Sequence, residues 1–453
     1  MSSALDLAER ALRAAEGDEA EATVQTERSG LARFAGTEVH QPTLISNETV
    51  QLRVVRDGRF GVAAGNATND EALRALAQRA AAAADRAPVD PDFPGLAPPE
   101  EPPRVGGYDE ETATLGADEQ ARLAGAAIDA AGDFGVYGFF TSGVSSLAVA
   151  SSTAVTAEQE MTDATTLVLA AVDGASGWAE QTTWAVAESD PAAVSREAVE
   201  KARRTHGAAE LEPGRWRAVL EPYAFAELLM YFSFDTFSGL ALVEERSYAC
   251  GRLGERVFDP KLSIADDPLD EQGLPKAFDA EGTPKRRLEL VQDGALSGVV
   301  WDRSSAARAK DASSTGHALP GSLRGWGPIP LALSVAPGEA GSVDELVEAV
   351  DDGIYVTRLH YLGVVQPREG VITGMTRDGT FRIRDGKIAE PLVNLRFTVA
   401  VPDVLAEVPG LTHGRKLVNQ NAFYDERYPY GVFTPALATA RFCITGTGSG
   451  PGL

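Results

Sequence analysis

Residues 374–398 read GMTRDGTFRIRDGKIAEPLVNLRFT. Two Asp-Gly pairs, at 378–379 and 385–386, enclose a short run in which apolar and charged side chains alternate. Asp-Gly is a strong signal for a tight hairpin turn, and an alternating run is typical of a strand with one buried face. The stretch therefore predicts adjacent β-hairpins. Arg382 and Arg384 fall on one face of the strand, opposite Phe381 and Ile383, and we expect that face to meet water or a partner.

The same strand-like pattern continues through residues 211–453, around this stretch. Short strand-like segments follow one another, separated by Gly, Pro and Asp: LSIADDP, RRLELVQDGALSGVVWD, LALSVAPG and GIYVTRLHYLGVV. One helix is predicted at 342–350, where Ser342 and Glu345 form a capping box. Many short strands at this spacing predict a β-rich C-terminal domain of barrel or sandwich type over 211–453.

Residues 1–210 predict an N-terminal α/β region made of two similar halves, 1–86 and 105–210, each with a helix, several strands and a second helix. The Pro-rich segment 87–104, APVDPDFPGLAPPEEPPR, is predicted as an extended linker across the surface. A local pattern recurs at an offset of 116 residues. The matching positions are Thr49, Asp57, Gly58 and Gly61 in the first half and Thr165, Asp173, Gly174 and Gly177 in the second. This favours an internal duplication, although Asp-Gly turns are common enough for coincidence to be an alternative. The predicted fold class is α+β.

Composition excludes several classes of function. A formal net charge of −25 repels phosphate backbones and no Lys/Arg-rich stripe offsets it, so we expect no nucleic-acid binding. No apolar run reaches the roughly 18 residues of a membrane span, so we expect no membrane association. The N-terminus lacks the pattern of a secretory signal, and the chain has only two cysteines, Cys250 and Cys443. We therefore expect a cytoplasmic protein with reduced thiols.

The standard catalytic motifs are missing from the sequence. It contains no P-loop, no GxGxxG after a strand, no GxSxG, no HExxH and no CxxC. Its five histidines lie far apart, so none forms the pair that a helical zinc site needs. His317 lies in a polar loop that could approach a ligand, but a loop histidine more often bonds to backbone. His360 is in a strand, TRLHYLGVV, where packing is the commoner role.

The two cysteines are weak candidates for chemistry. Cys443, in RFCITGTG, is predicted to be a buried strand residue, because a free cysteine behaves as a small hydrophobe. Cys250 has Arg246 and Arg252 nearby in the sequence, and such cations favour a thiolate. No histidine base lies close to Cys250, so a nucleophile there is the weaker interpretation.

Several motifs, taken in order, resemble the TldD/PmbA proteins, formerly called modulators of DNA gyrase. They are GLARFAGTEVHQ, GRFGVAAGNATNDEAL, GERVFDPKLSIADDP, FDAEGTPKRRLELVQDGAL, SSTGHA and LHYLGVVQPREGVITGMTRDGTFRIRDGKIAEPLVNLRFT. The resemblance implies a heterodimer of two related subunits that acts as a zinc peptidase on unstructured peptides. It also implies that the TldD-type subunit binds zinc through HExxxH on a helix and a later cysteine, with the motif's Glu as general base.

This chain departs from that zinc subunit. The helix ahead of GERVFDP lies in YAFAELLMYFSFDTFSGLALVEERSYACGRLGERV, which contains no histidine. The sequence therefore resembles the PmbA or TldE-like partner, and we assign it no catalytic residue, no metal ligand and no cofactor, with zinc expected in the partner. The expected partners are a HExxxH-bearing paralogue and an unfolded peptide, and a homodimer is the alternative assembly when the paralogue is absent. The candidates for peptide binding or cavity lining are His317, His360, Tyr361, Arg382 and Arg384.

Two other functions remain open from the sequence. The chain could be a peptidase or hydrolase in its own right, acting through Cys250 or an unrecognised carboxylate site. It could also be a scaffold or regulator without enzymatic activity.

Overall fold

The computed structural model describes residues 3–420 and 427–448. These residues form an N-terminal six-stranded sheet and a C-terminal eleven-stranded sheet, with helices packed against both. The α+β class and the β-rich C-terminal half predicted from the sequence are therefore confirmed. Within the described residues, no helix is long and apolar enough to cross a bilayer.

The first sheet has the strand order β3-β2-β1-β4-β5-β6. Its strands are β1 (Glu19–Gly36), β2 (Glu38–Arg56), β3 (Arg59–Gly65), β4 (Gly135–Ser151), β5 (Thr156–Val172) and β6 (Ala175–Thr183). The helices of this region are α1 (Ala4–Ala14), α2 (Asp70–Ala84), α3 (Glu110–Ala113), α4 (Ala117–Ala130) and α5 (Pro191–Arg203). A 3-10 turn at Val186–Glu188 precedes α5.

The six strands form two copies of one unit. Thr23 pairs with Gln51 between β1 and β2, and Phe139 pairs with Leu167 between β4 and β5, so both partners shift by 116 residues. The outer pairs β2–β3 and β5–β6 keep the same offset in their registers. Since a slip of one residue would turn every side chain to the other face, identical registers are a strict test of the repeat. The internal duplication is confirmed.

The repeated glycines show why the pattern recurs. A Cβ on Gly61 would lie 2.1 Å from the carbonyl oxygen of Ala80 in α2, and a Cβ on Gly177 would lie 2.1 Å from that of Ala198 in α5. In each copy the helix therefore touches the backbone of the third strand, an approach that only glycine allows. The preceding Asp-Gly turns also match, because both residues of each turn have positive φ, as type I′ hairpins require.

The two faces of the first sheet have different neighbours. Alternate residues of β1 and β4, including Ala22, Phe34 and Phe140, pack under the helices. The opposite face, which carries Leu147 and Trp178, joins the core of the C-terminal half. Residues 87–104 contain no helix or strand, and Leu96 and Ala97 within them are buried.

The second sheet has the strand order β10-β9-β8-β11-β17-β15-β13-β12-β7. Its strands are β7 (Gly214–Leu220), β8 (Ile264–Asp266), β9 (Leu288–Gln292), β10 (Ala295–Leu296), β11 (Ala332–Val335), β12 (Gly353–Gln366), β13 (Val371–Arg384), β14 (Lys387–Leu392), β15 (Leu395–Ala400), β16 (Gly410–Asn419) and β17 (Gly431–Thr447). The helices are α6 (Pro222–Thr236), α7 (Gly239–Val243), α8 (Arg303–Ala307), α9 (Val343–Val350) and α10 (Val401–Leu405), with 3-10 turns at Gly321–Trp326 and Pro367–Glu369. Because β17 also pairs with β7, strands β7, β12, β13, β15 and β17 close into a barrel.

The opening stretch differs from its prediction in two places. Asp385-Gly386 is the expected hairpin turn, between β13 and β14. Asp378-Gly379 is not a turn: β13 runs straight through it, with a shift of register against β12 that marks a bulge. The expectation of an exposed arginine face is also wrong for Arg382, which is only 6% exposed because its guanidinium lies over the ring of Trp216.

Candidate functional site

Helix α6 lies at the centre of the molecule and is apolar on almost every side. It begins with Pro222, whose fixed φ suits the first turn, and Glu221 is its N-cap residue. Ten of its fifteen residues are buried, which is typical of a helix enclosed by other elements. The Glu221 carboxylate accepts hydrogen bonds from Lys201 Nζ at 2.7 Å and from the Tyr355 hydroxyl at 2.5 Å.

Charged side chains from both halves of the chain meet around this helix. We call this group the interface cluster; its members are Glu180 on β6, Glu197 and Lys201 on α5, Tyr223 and Glu227 on α6, Arg358 on β12 and Lys416 on β16.

Tyr223 and Lys416 hold the cluster together. The Tyr223 hydroxyl donates to the carbonyl oxygen of Glu180 at 3.0 Å and lies 3.1 Å from Glu197 Oε1. The Lys416 ammonium contacts Glu197 Oε2 at 3.1 Å and also hydrogen-bonds to the Tyr223 hydroxyl. One side of the cluster is thus a closed network of donors and acceptors.

Two carboxyl groups of the cluster are held in unusual states. Burial raises the pKa of Glu180 to about 8, against the opposing effects of the Asn419 N–H and of Lys416. Burial also raises the pKa of Glu227 to about 7, and Arg358 offsets only part of that. The Glu227 carboxyl has no hydrogen-bond partner within the described residues. Two carboxyl groups with raised pKa values at one interface are typical of a functional region or of a strained interface.

Glu197 behaves in the opposite way. Burial raises the pKa of its carboxyl, but Lys201 and Lys416 more than compensate and bring it to about 2. The cluster therefore contains one firmly ionised carboxylate, Glu197, beside Glu180, which is mostly neutral at pH 7, and Glu227, which is about half ionised there.

Arg358 connects the cluster to the bulge and to two of the candidate residues. Its guanidinium lies 4.5 Å from the Trp178 ring centre and donates to Asp378 Oδ2 at 2.8 Å. Two residues further along β12, burial and the charge of Arg358 lower the pKa of His360 to about 4. The neighbouring Tyr361 is 78% exposed, and its φ of 54° is unusual for a tyrosine.

His317 lies elsewhere, in a second buried network. Its ring is 1% exposed; Nε2 lies 2.8 Å from Asp266 Oδ2, and Nδ1 lies 2.9 Å from both the hydroxyl and the carbonyl oxygen of Thr315. In this arrangement both ring nitrogens are occupied. Burial lowers the pKa of His317, and the charge of Lys285 acts in the same direction.

This network continues into the first sheet. Glu21 on β1 pairs with Arg324 of the C-terminal half at 3.2 Å, and Arg53 on β2 pairs with Glu281 of the same half at 3.5 Å. The geometry around His317 is therefore that of a buried junction between the two sheets.

The arginines of the opening stretch lie at the other end of β13. Arg382 is buried and donates to Asp352 Oδ1 at 2.6 Å, whereas Arg384 is exposed and paired with Glu390 at 2.7 Å. Only His360 and Tyr361, of the five candidates, thus lie beside the interface cluster.

Comparison with known proteins agrees with this architecture. The sequence profile described as the PmbA/TldA metallopeptidase C-terminal domain matches residues 213–446, just over half of the chain. The profile described as PmbA/TldA metallopeptidase domain 1 matches residues 20–84. The chain belongs to the PmbA/TldD metallopeptidase family.

Similar proteins carry related names. A protein of Methanothermobacter thermautotrophicus named "Metalloprotease" is 29% identical over 224 residues, which are 48% of this chain and 47% of that protein. A "Metalloprotease TldD homolog" of Haemophilus influenzae is 25% identical over 212 residues, 45% of this chain and 42% of that protein. The chain thus spans less than half of the length of either relative.

Solved structures share the fold over almost the whole chain. TldE from Thermococcus kodakarensis matches with a TM-score of 0.85 and 20% identity, over 97% of this chain and 99% of that one. A protein from Thermotoga maritima described as a modulator of DNA gyrase matches with a TM-score of 0.82 and 18% identity, over 94% and 96% of the two chains. At these identities the likeness establishes the fold alone.

For a PmbA/TldD family member, the side chains of α6 are the ones to test against a zinc site. If the Glu of HExxxH is placed on Glu227, the one Glu of α6, its two histidine positions fall on Ala226 and Tyr231. Ala226 is fully buried and has no donor atom, and the Tyr231 ring packs 5.6 Å from that of Phe234. Zinc in proteins needs about three side-chain N, S or O ligands, so these residues do not fit the ion. Within residues 3–420 and 427–448, no group of three or more His, Cys, Asp or Glu could hold a metal.

The cysteines lie apart from the cluster contacts. Cys250 is partly buried, with Sγ 3.6 Å from the carbonyl oxygen of Leu242. Cys443 lies on β17, partly buried, and lines a cleft of about 200 Å³ with Asp403 and Arg441.

Most of the interface cluster could not be found from the sequence, because its members lie far apart in the chain. Glu180 and Lys416 are separated by more than 200 residues and carry no motif. Glu227 is the exception. Placing the spacing of HExxxH on AELLMY would have singled it out.

Proposed function

We propose that this chain is the non-catalytic, metal-free subunit of a two-subunit TldD/TldE-type zinc metallopeptidase that degrades or matures unstructured peptides. The observation that carries the proposal is that α6 contains no histidine at any position. With the motif's Glu placed on Glu227, the two histidine positions fall on Ala226 and Tyr231. The zinc and the general base then come from a partner chain with an intact HExxxH.

The surroundings of Glu227 support the assignment of the zinc and the general base to the partner chain. A zinc peptidase uses its Glu as a base against a metal-bound water. The pKa of Glu227, about 7, would suit a base, but within the described residues no group of His, Cys, Asp or Glu beside it could hold a metal. The role of this chain is therefore structural, because it completes the peptide-binding cavity. Tyr361, exposed and next to the interface cluster, is the candidate residue best placed to contact peptide.

The test compares the chain alone with the chain plus a HExxxH-bearing paralogue from the same genome. We expect less than one-tenth of a zinc per purified chain by elemental analysis, and no cleavage of an unfolded peptide such as a casein fragment. Adding the paralogue should give a stable complex and cleavage. Glu227→Gln in this chain should leave the cleavage unchanged, whereas Glu→Gln in the partner's motif should abolish it.

Two results would reject the proposal. Stoichiometric zinc in the lone chain would show that it has its own metal site. Cleavage by the lone chain that disappears on Cys250→Ala would indicate an independent hydrolase. A complex that forms without cleaving any unfolded peptide would instead favour the scaffold or regulator.

A further inference from the structure

The contact between the second repeat and the C-terminal half has more acidic than basic side chains. It consists of the interface cluster and the residues that form ion pairs with it, and we call it the β6 junction. Its five carboxyl groups are those of Glu180, Glu197, Glu221, Glu227 and Asp378, whereas its three cations are Lys201, Arg358 and Lys416. Two carboxyl groups of the β6 junction are therefore in excess.

The two lysines of the β6 junction are already paired with other carboxylates. Lys201 Nζ contacts Glu197 Oε1 at 2.9 Å and Glu221 Oε2 at 2.7 Å. Lys416 Nζ contacts Glu197 Oε2 at 3.1 Å. Within the described residues, neither lysine hydrogen-bonds to a further carboxyl group.

The two carboxyl groups in excess are those of Glu180 and Glu227. Arg358, the third cation, is paired with Asp378 at 2.8 Å. Within the part of the chain that the structure describes, the one donor to the Glu180 carboxyl is the backbone N–H of Asn419, at 2.7 Å. Glu180 is 2% exposed and Glu227 is partly buried, so an ionised carboxylate at either position is a buried charge without a paired cation. Such a charge is costly, and the neutral form is favoured while the junction stays closed.

The first repeat shows that the duplicated unit folds without these charges. Glu180 on β6 corresponds to Ala64 on β3, at the offset of 116 residues. Lys201 on α5 corresponds to Ala83 on α2, because each lies against the repeated glycine of the third strand. The charges therefore occur only in the copy that meets the C-terminal half at this strand. We infer that they act on that contact and not on the folding of the unit.

We propose that the β6 junction is a proton-controlled contact, which is closed while Glu180 and Glu227 are protonated and opens more often as they ionise. Opening brings both carboxyl groups into water, where ionisation no longer carries the cost of burial. The closed junction therefore binds more protons than the open one, so its opening constant rises with pH. The pKa values of about 8 for Glu180 and about 7 for Glu227 limit this rise to pH values below about 8.

Other charged and titratable groups face these carboxyl groups from the elements packed against them. Lys416 on β16 and Arg358 on β12 lower the pKa of Glu180, whereas Glu227 raises it. The remaining groups are Tyr223 and Tyr231 on α6, Glu197 and Lys201 on α5, and Asp378 on β13. Burial outweighs the two cations, so the net effect of closing the junction is proton uptake.

The experiment measures hydrogen exchange of the full chain alone by mass spectrometry, at pH 6, 7 and 8. Rates are corrected for the intrinsic pH dependence of exchange, so that protection reports local opening. The reporter is β6, and the matched control is β3, its counterpart in the first repeat, which has Ala64 in place of Glu180. We expect the protection of β6 to fall at least about tenfold from pH 6 to pH 8, where full hydration of Glu180 on opening corresponds to about 50-fold. The protection of β3 should change little.

Two variants test the carboxyl groups themselves. Glutamine is neutral at every pH, so the double variant Glu180→Gln with Glu227→Gln should keep β6 protected at pH 8 as well as at pH 6. Glu100→Gln, at an exposed residue, should fall as the wild type does. If the double variant fails to fold, Glu227→Gln alone replaces it and should reduce the fall between pH 6 and pH 7 by about fivefold.

The proposal is overturned if the protection of β6 in the wild type falls less than about tenfold from pH 6 to pH 8. It is also overturned if the variant chosen loses protection as steeply as the wild type, because the two carboxyl groups would then not control opening. A fall in β3 as steep as the fall in β6 would reject it as well, since the whole chain would be unfolding. Because exchange is measured without a partner, the result is independent of zinc content and of cleavage by the complex.

Discussion

Replacing Glu180 by glutamine should stabilise the chain, by an amount that grows with pH. The carboxyl is 2% exposed, and its pKa of about 8 lies well above the ordinary 4.5 that it regains on unfolding. Between these two values the folded state binds more protons than the unfolded state, so the free energy of unfolding falls as pH rises. Each unit of difference is worth about 1.4 kcal/mol, which gives about 3 kcal/mol at pH 7 and at most about 5 kcal/mol above pH 8.

Glutamine removes this pH-dependent penalty and keeps the local geometry. Its side-chain oxygen can still accept the Asn419 N–H, which reaches Glu180 Oε1 at 2.7 Å. The assay is urea unfolding of wild type and variant at pH 5, 7 and 8.5, followed by circular dichroism. The two curves should nearly coincide at pH 5 and separate progressively at higher pH. Glu100→Gln, at an exposed residue of the Pro-rich segment, is the control for the amide substitution and should change little at any pH.

A stability difference that is the same at pH 5 and pH 8.5 would refute the reasoning. It would mean that Glu180 is ionised in the folded chain, so that Lys416 and Arg358 outweigh burial. Loss of stability in the variant at pH 8.5 would lead to the same conclusion.

Three further outcomes are expected. Gly177→Ala should destabilise the chain by about 2–4 kcal/mol in urea unfolding, because its Cβ would meet the α5 backbone, and Gly61→Ala in the other repeat should have a similar effect. Asp163→Leu should cost about 3–5 kcal/mol, since it leaves the buried Arg427 guanidinium without the carboxylate that it contacts at 2.6 and 2.7 Å; a loss below 1 kcal/mol would show that water already reaches this pair. Tyr361→Gly should raise the free energy of unfolding by about 1 kcal/mol, and with it the thermal midpoint slightly, because the change relieves a positive φ. If the ring contacts substrate, the same variant should slow peptide cleavage by the complex.

The sequence contained enough to predict the repeat but not the bulge. Asp57-Gly58 and Asp173-Gly174 are local turns, so their chemistry alone determines the backbone. Asp378-Gly379 has the same two residue types but different tertiary contacts. Its carboxylate accepts hydrogen bonds from Ser176, which is 202 residues away, and from Arg358 on the adjacent strand. These contacts hold Asp378-Gly379 inside a continuous strand. The sequence close to the two residues contains no information about such distant contacts.

The position of Arg382 was missed for a related reason. The alternation of apolar and charged residues correctly places Arg382 and Phe381 on opposite faces of the strand. It identifies the buried face, however, only when one face of the strand is covered and the other is exposed. In the structure both sides are covered, by the core and by Trp216, and the guanidinium is satisfied by the carbonyl oxygen of Gly353 and by Asp352. A buried arginine is acceptable when its donors are occupied in this way.

The packing of α6 explains why the fold does not depend on a metal bound to this helix. The helix is held by Phe225, Leu228, Leu229 and Phe232, all nearly or completely buried, and truncating one such phenylalanine to alanine would cost about 3–5 kcal/mol. Structural zinc sites stabilise domains that cannot build such a core, and α6 has no need of one. Ala226 fills its buried position with a side chain that has no metal-binding atom, so the packing of α6 is complete without a ligand there. If the proposed two-subunit peptidase forms, chelating its zinc should stop peptide cleavage without lowering the unfolding temperature of this chain; a parallel loss of both would show that the metal is structural for the pair.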